Sequence, residues 1–415
     1  MPEPIVQPFR GLRPVPDKAQ AVAAPPYDVL STEEARELAK GNPLSFLHIS
    51  KPEIDLPAGT DAFAPEVYET AAKNITRMVG EGVLVRDVQP CYYVYRVAMD
   101  GHVQTGIAAA GSVAAYEANL IRRHEFTRPD KEDDRVRQIE AVNAQTGPVF
   151  TVHKANDQLS QVISETVGGK PAYAVRDVGG ADHTLWVVSD PAAITQITDA
   201  FNDLGVIYIA DGHHRSAAAA RVAHARADLD NDPQVEDSYN RFLLVSFPED
   251  EMQILDYNRV VRDLNGMEPA AFLEKVGEAF VVAPSEEPVR PGAPQTFGMY
   301  LGGKWYKLSL KTPVAANASA VQRLDVSLLS DRLIEPILGI ADPRRDARID
   351  FVGGRRGLDG LAKRVDQDGF AVAFSMYPTS IHDLMAVADA GAVMPPKSTW
   401  FEPKLADGMV SLVLD

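Results

Sequence analysis

Cysteine is almost missing from this chain: Cys91 is the single one among 415 residues. A lone thiol cannot close an internal disulfide, which suits a reducing compartment. No apolar run approaches the roughly 20 residues that a membrane-spanning helix needs. Met1-Pro2-Glu3-Pro4 carries neither the basic nor the apolar region of a secretory leader, so the expectation is a cytoplasmic protein that engages no membrane. Positive charge is short as well. Lys and Arg number 41 against 58 Asp and Glu, a formal net charge of −17. No basic stripe interrupts that acidity, which excludes nucleic acid as an expected partner. The sequence holds no H-E-x-x-H and no paired cysteines, so a helical zinc site is excluded too. Repeats and low-complexity segments are also lacking.

What is present is ordinary globular material, with 45% hydrophobic and 24% charged residues. The length exceeds one comfortable core. Two portions are expected, 1–255 and 256–415. Strand and helix patterns alternate through much of the chain, while Asp100-Gly101 between Tyr92–Met99 and His102–Ala108 predicts an antiparallel hairpin. Together these predict a mixed α/β (α+β) fold, mixed sheets with helices on their faces. Ser31 and Glu34 form a capping box for a helix over Thr32–Lys40. Leu44–Ile49 reads as a strand, and Pro65 opens a helix with Val67, Ala71, Ile75, Met78 and Val79 on one face. A helix is also predicted over Val326–Leu338, starting at Asp325.

One stretch organises the functional reading. Val206–Ala210 has the composition of a buried strand, breaks at Asp211-Gly212, and resumes as an alanine-rich helix from His213. Asp suits the cap of such a helix, and Gly lets its backbone approach a ligand. His213, His214, Arg215 and Ser216 fall in the first turn, where unpaired amides and the positive end of the dipole face outward. Free amides, a dipole and an arginine make a phosphate site. A second cluster spans Arg122, Arg123, His124, Glu125, Thr127 and Lys131, mixing a base, a hydroxyl and cations ahead of a helix over Glu132–Ala144. Asp28 follows the rigid Pro25-Pro26-Tyr27. A rival turn, Gly353-Gly354-Arg355-Arg356-Gly357, lacks the Lys-Ser/Thr ending of a P-loop and reads as an ordinary connection.

Several stretches resemble one prokaryotic family, domain of unknown function 1015. They are Pro8–Pro14, Ala24–Val29, Arg123-His124-Glu125 with Thr127, Asp211–Arg215, Asp256-Tyr257-Asn258-Arg259 and Met394–Thr399. The likeness spans nearly the whole chain and implies a family without an activity. The turn Asp211–Arg215 also resembles the phosphate turn of the ParB/sulfiredoxin superfamily, whose free-serine kinases carry a similar Asp-Gly-His-x-Arg. That likeness covers roughly a dozen residues. It implies Asp211 as a magnesium ligand or catalytic group, and Gly212, His213 and Arg215 as phosphate ligands; His214 is the variable position.

The expected function is therefore a nucleotide-dependent small-molecule kinase, using ATP or ADP with magnesium and a hydroxylated acceptor such as free serine. Glu125 is the first candidate base and Asp28 the second, with His124 beside them and Arg122, Arg123 or Lys131 offsetting charge. Two alternatives stand with it. One is a non-catalytic nucleotide-binding regulatory protein; the other is a phosphate-ester hydrolase using His213 or His214.

Overall fold

The computed structural model describes residues 3–227 and 238–415. The chain forms two compact units. One comprises Met1–Met252 together with Pro403–Asp415, the other Gln253–Glu402.

The first unit is built on a mixed sheet whose strands are nearly all buried. In spatial order they are Ile121–Arg122, Ile207–Asp211, Val149–His153, Arg241–Pro248, His102–Ser112, Tyr92–Met99, Asp182–Val188 and Tyr173–Arg176, with Val6–Gln7 pairing on His102–Ser112. The Asp100-Gly101 hairpin forms as the sequence predicts, Asp100 and Gly101 both taking positive φ. Two contacts are parallel, Ile207–Asp211 with Ile121–Arg122 and Arg241–Pro248 with Val149–His153; the remaining pairs are antiparallel. The helix His213–Ala227 lies on Val149–His153 and Arg241–Pro248, and Asp157–Val167 lies on the hairpin. A smaller sheet joins Leu84–Arg86, Gly11–Pro14, Ser411–Val413 and Ala144–Gln145, which brings the last residues of the chain back beside the first.

The second unit carries an antiparallel sheet ordered Phe280–Ser285, Lys304–Leu310, Thr296–Leu301, Val372–Ser375, Tyr257–Val261 and Ile349–Gly353. Gly357–Gln367 covers it through Leu361, which joins Val260, Tyr300, Trp305, Val352, Phe370 and Ala373 in one core. Both units are thus mixed α/β in the sense the sequence implies. Among the described residues no helix is long and apolar enough to cross a membrane.

Three local expectations are corrected. Leu44–Ile49 is not a strand: Leu47–Ser50 is a short helix, packed against Pro65–Gly80 by Leu47 and Ile49. A short apolar run has no period long enough to separate the two states, and here helix packing decides. Val79 stays 46% exposed, because the apolar face of its helix is completed by Tyr68 instead. The helix expected over Val326–Leu338 is regular only over Asp325–Leu329 and widens into a π-type turn over Ser330–Ile334. It begins at Asp325 as expected, and the Asp325 carboxylate accepts the Gln295 amide at 2.8 Å. The capping box at Ser31 and Glu34 forms as expected.

Candidate functional site

The site grows from the strand Ile207–Asp211. Ile207, Tyr208, Ile209 and Ala210 are buried in the sheet. Its register against Val149–His153 shifts between Ile209 and Asp211, and such a bulge turns the last side chain out of the ladder. Gly212 then takes φ +97°, a conformation open to glycine, and a Cβ there would stand 3.1 Å from the Arg215 guanidinium and 3.3 Å from the Val149 backbone. Gly212 rather than Asp211 closes the first helical turn: its carbonyl accepts the amides of Arg215 at 2.9 Å and Ser216 at 3.1 Å. Asp211 is left to face cations. Lys404 donates to it at 2.7 Å, and Arg215 stands 4.0 Å away. Burial raises the Asp211 pKa, but Lys404 and Arg215 outweigh it and hold the carboxyl well below its ordinary range.

Arg215 is mostly buried and donates to the Pro148 carbonyl, with Asp28 at 3.7 Å. Asp28 sits on the turn Tyr27–Val29 after the extended Pro26 and is 41% exposed at its side chain. Tyr27 is clamped from two sides. The Arg135 guanidinium lies 4.0 Å from its ring centroid, and its amide donates to Asp407 at 3.3 Å. Asp407 is buried, and burial pushes its carboxyl up to about 7 against the opposing pull of Arg215. Arg135 is itself paired with Asp134 at 2.7 Å, and Asp134 accepts the Tyr68 hydroxyl at 2.9 Å.

The two adjacent histidines diverge and hold the loop that precedes the helix Pro129–Val142. His213 is 3% exposed, and its Nε2 accepts the His124 amide at 3.4 Å. The Nε2 of His214 accepts the Arg128 amide at 3.1 Å. A ring nitrogen that accepts an N–H carries no proton, so each neutral imidazole keeps its proton on Nδ1. The Nδ1 of His213 lies 3.7 Å from the Glu125 carboxylate, which is 46% exposed at its side chain. Burial pushes His213 well below its usual value, helped by His124, and pushes His124 down to about 4. The His124 ring stands edge-on to that of His213 at 4.5 Å, and its buried Nδ1 has no hydrogen-bond partner among the described residues. Ion pairs from Arg221 to Glu132 and Asp133 fix the two helices to each other.

The structure thus brings together Asp28, His124, Glu125, Asp211, Gly212, His213 and Arg215. Other candidates are placed differently. Ser216 is buried and donates to the His213 carbonyl at 3.0 Å, so its hydroxyl serves the helix. The Arg122 guanidinium lies 6.0 Å from the Tyr208 ring, that of Arg123 lies 5.0 Å from the Tyr116 ring, and the Lys131 ammonium lies 5.4 Å from the Phe63 ring. Two site residues escaped the sequence reading, Lys404 and Asp407. Both lie in the closing segment, where nothing local marks Lys404 as a partner of Asp211 or Asp407 as a partner of Tyr27.

A mixed α/β chain with cations and a glycine turn gathered at one helix start belongs to no single activity by architecture. The chain belongs to the family described as Protein of unknown function (DUF1015), whose pattern matches residues 6–327. No curated protein matches it. Among solved structures it is similar to SbnI with C-terminal truncation from Staphylococcus aureus, at 14% identity over 74% of this chain and 87% of that one, with a TM-score of 0.38. It is also similar to a free serine kinase in complex with AMP, at 11% identity over 71% and 86%, TM-score 0.34. A conserved hypothetical protein from Pyrococcus furiosus shares 12% identity over 73% and 93%, TM-score 0.34. At such identities and scores these likenesses carry no inference about activity, which has to come from the side chains.

Proposed function

We propose that this turn binds the phosphate of a nucleotide, and that the chain transfers a phosphoryl group to the hydroxyl of a small metabolite such as free serine. The supporting observation is the triangle of Arg215, Asp211 and Lys404 at the start of the helix His213–Ala227, built on a glycine that only a backbone without Cβ satisfies. Arg215 and Lys404 supply charge and the helix start supplies a dipole. Hydrogen bonds to charged groups contribute about 1.5–3 kcal/mol each. Three of them approach the roughly 8 kcal/mol of micromolar binding.

Phosphoryl transfer asks mainly for positioning and charge neutralisation. The acceptor oxygen bonds to the terminal phosphorus as the bond to the bridging oxygen breaks. The nucleoside diphosphate leaves when ATP is the donor, the monophosphate when it is ADP, and the hydroxyl proton passes to a carboxylate. Glu125 is the first choice for that base, because it is half-exposed beside the buried, neutral His213; Asp28 is the second. In this reading Asp211 fixes Lys404. Asp211 is a poor magnesium ligand, because it already faces the cations Lys404 and Arg215.

The hydrolase reading loses ground, because Nε2 of both His213 and His214 already accepts a backbone N–H. Phosphorus NMR of the chain with ATP and a pool of hydroxylated amino acids tests the proposal. The expected result is a new phosphomonoester resonance with matching nucleoside diphosphate, absent in Glu125→Gln. Nucleotide binding without product would instead support the regulatory reading.

A further inference from the structure

The second unit holds a cluster that the proposed transfer leaves unused. It is formed by the strand Tyr257–Val261, the segment Met394–Thr399 and the turn after Ile349–Gly353. Alternation along the strand puts Tyr257 and Arg259 on one face, opposite Gly353 and Phe351 in register, while Asp256 and Asn258 hydrogen-bond to each other at 2.6 Å. Arg259 is only 5% exposed. Its guanidinium donates to the carbonyls of Tyr257 and, at 3.0 Å, Lys397, and lies 5.3 Å from the centroid of the Phe351 ring. These carbonyls occupy two of its five N–H donors.

The neighbouring cations show what Arg259 lacks. Arg290 pairs with Asp256 at 3.1 Å, and Arg355 pairs with the buried Glu402 at 3.6 Å. Within its unit, no described carboxylate pairs with Arg259, whose pKa burial pushes down to about 10. A buried cation without a counter-charge is destabilising, and an anionic ligand would relieve it. Lys397 adds a second positive charge on the same face. Its ammonium stands 5.8 Å from the centroid of the Tyr257 ring, and its backbone takes φ +58°, a left-handed conformation that strains a residue with a side chain. Two hydrogen bonds hold the segment in place. Ser398 donates to the Pro395 carbonyl at 2.6 Å, and Thr379 donates to the Ser398 carbonyl at 2.8 Å. Trp400 closes the aromatic side, edge-on to Tyr257 at 5.1 Å, and a Cβ at Gly353 would come within 2.9 Å of its ring.

We propose that Arg259 and Lys397 form a second oxyanion site, which holds the carboxylate or phosphate of a small metabolite against the ring of Tyr257. Neither cation pairs with a described acid of its unit, and the aromatic wall of Tyr257, Phe351 and Trp400 accepts the apolar part of such a ligand. The site is built from residues of the second unit alone.

Equilibrium dialysis of the full chain against labelled inorganic phosphate tests this, with a parallel series in succinate to separate phosphate from carboxylate preference. Two sites per chain are expected in phosphate if the second site takes phosphate, and one in each series if it takes carboxylate. Lys397→Ala, an exposed position, should remove one site from the series that shows it within the same concentration range, reflecting about a tenfold or greater loss of affinity. Arg259→Lys should weaken the same site while the circular dichroism spectrum stays unchanged. Lys404→Met should remove the other site and leave this one. A full complement of sites in Lys397→Ala, or no anion bound in either series once Lys404 is replaced, would overturn the proposal without touching the reading of the first unit.

Discussion

Lys404 donates a 2.7 Å hydrogen bond to Asp211 across 193 residues of sequence. The closing segment of the chain therefore supplies a cation to a turn formed in mid-chain. The pair also sets the charge of the site. Without Lys404, Asp211 would be a carboxylate at the very place where an anion is proposed to bind, with Arg215 as its remaining close cation.

Replacing Lys404 by Met should reveal that dependence in the pH profile of stability. The Asp211 pKa lies below its unfolded value. Its contribution is therefore complete above about pH 4 and is lost as pH falls through the folded pKa. Urea denaturation should show a clear gap between the wild type and Lys404→Met at pH 7, narrowing at pH 3. A gap independent of pH would mean that the ion pair adds nothing.

Asp407 behaves in the opposite sense. Its folded pKa, raised to about 7 by burial, lies above the unfolded value near 4, so the folded state holds the proton more tightly. The penalty for ionising it grows as pH rises from about 4 to about 7 and is constant above that. Asp407→Asn keeps an acceptor for the Tyr27 amide and removes the penalty. The variant should gain stability over the wild type at pH 8 and lose that advantage at pH 4, read as denaturation midpoints.

Gly212→Ala should damage both fold and binding. The positive φ costs about 1–2 kcal/mol for a residue with Cβ, and the added methyl would meet Arg215 at 3.1 Å. Thermal unfolding should fall by several degrees, and nucleotide affinity should fall further than in Ser216→Ala, whose hydroxyl bonds only within its helix.

Glu125→Gln should separate transfer from binding. The side chain is 46% exposed and faces the Nδ1 of His213 at 3.7 Å. Product formation should drop at least a hundredfold, while nucleotide affinity stays within a factor of about three. An equal loss in both would make Glu125 a binding group instead.

The architecture was legible in the sequence wherever periodicity was long or turn chemistry strong. The hairpin at Asp100-Gly101, the capping box at Ser31 and the strand–glycine–helix passage at Asp211-Gly212 are each written in adjacent residues. Leu44–Ile49 failed because six apolar-rich residues carry no decisive period, and the regular part of Asp325–Leu329 ended early where a wider turn took over. The site was half legible. Asp28, Glu125 and Arg215 stand out by type and neighbourhood, and the fold does gather them. Lys404 and Asp407 could not be found that way, because they reach the site through long-range pairing of the terminal segment, Asp407 with Ala24 and Ser411–Val413 with Gly11–Pro14 and Ala144–Gln145. Arg122, Arg123 and Lys131 looked alike in a charge run, yet each ends over a different aromatic ring.

The most direct test is calorimetric titration of ATP and ADP into the wild type, Arg215→Ala and Lys404→Met. The account predicts binding of at least one nucleotide to the wild type, weakened about tenfold or more in each variant. Absence of heat with the wild type, or equal affinity in all three proteins, would contradict it.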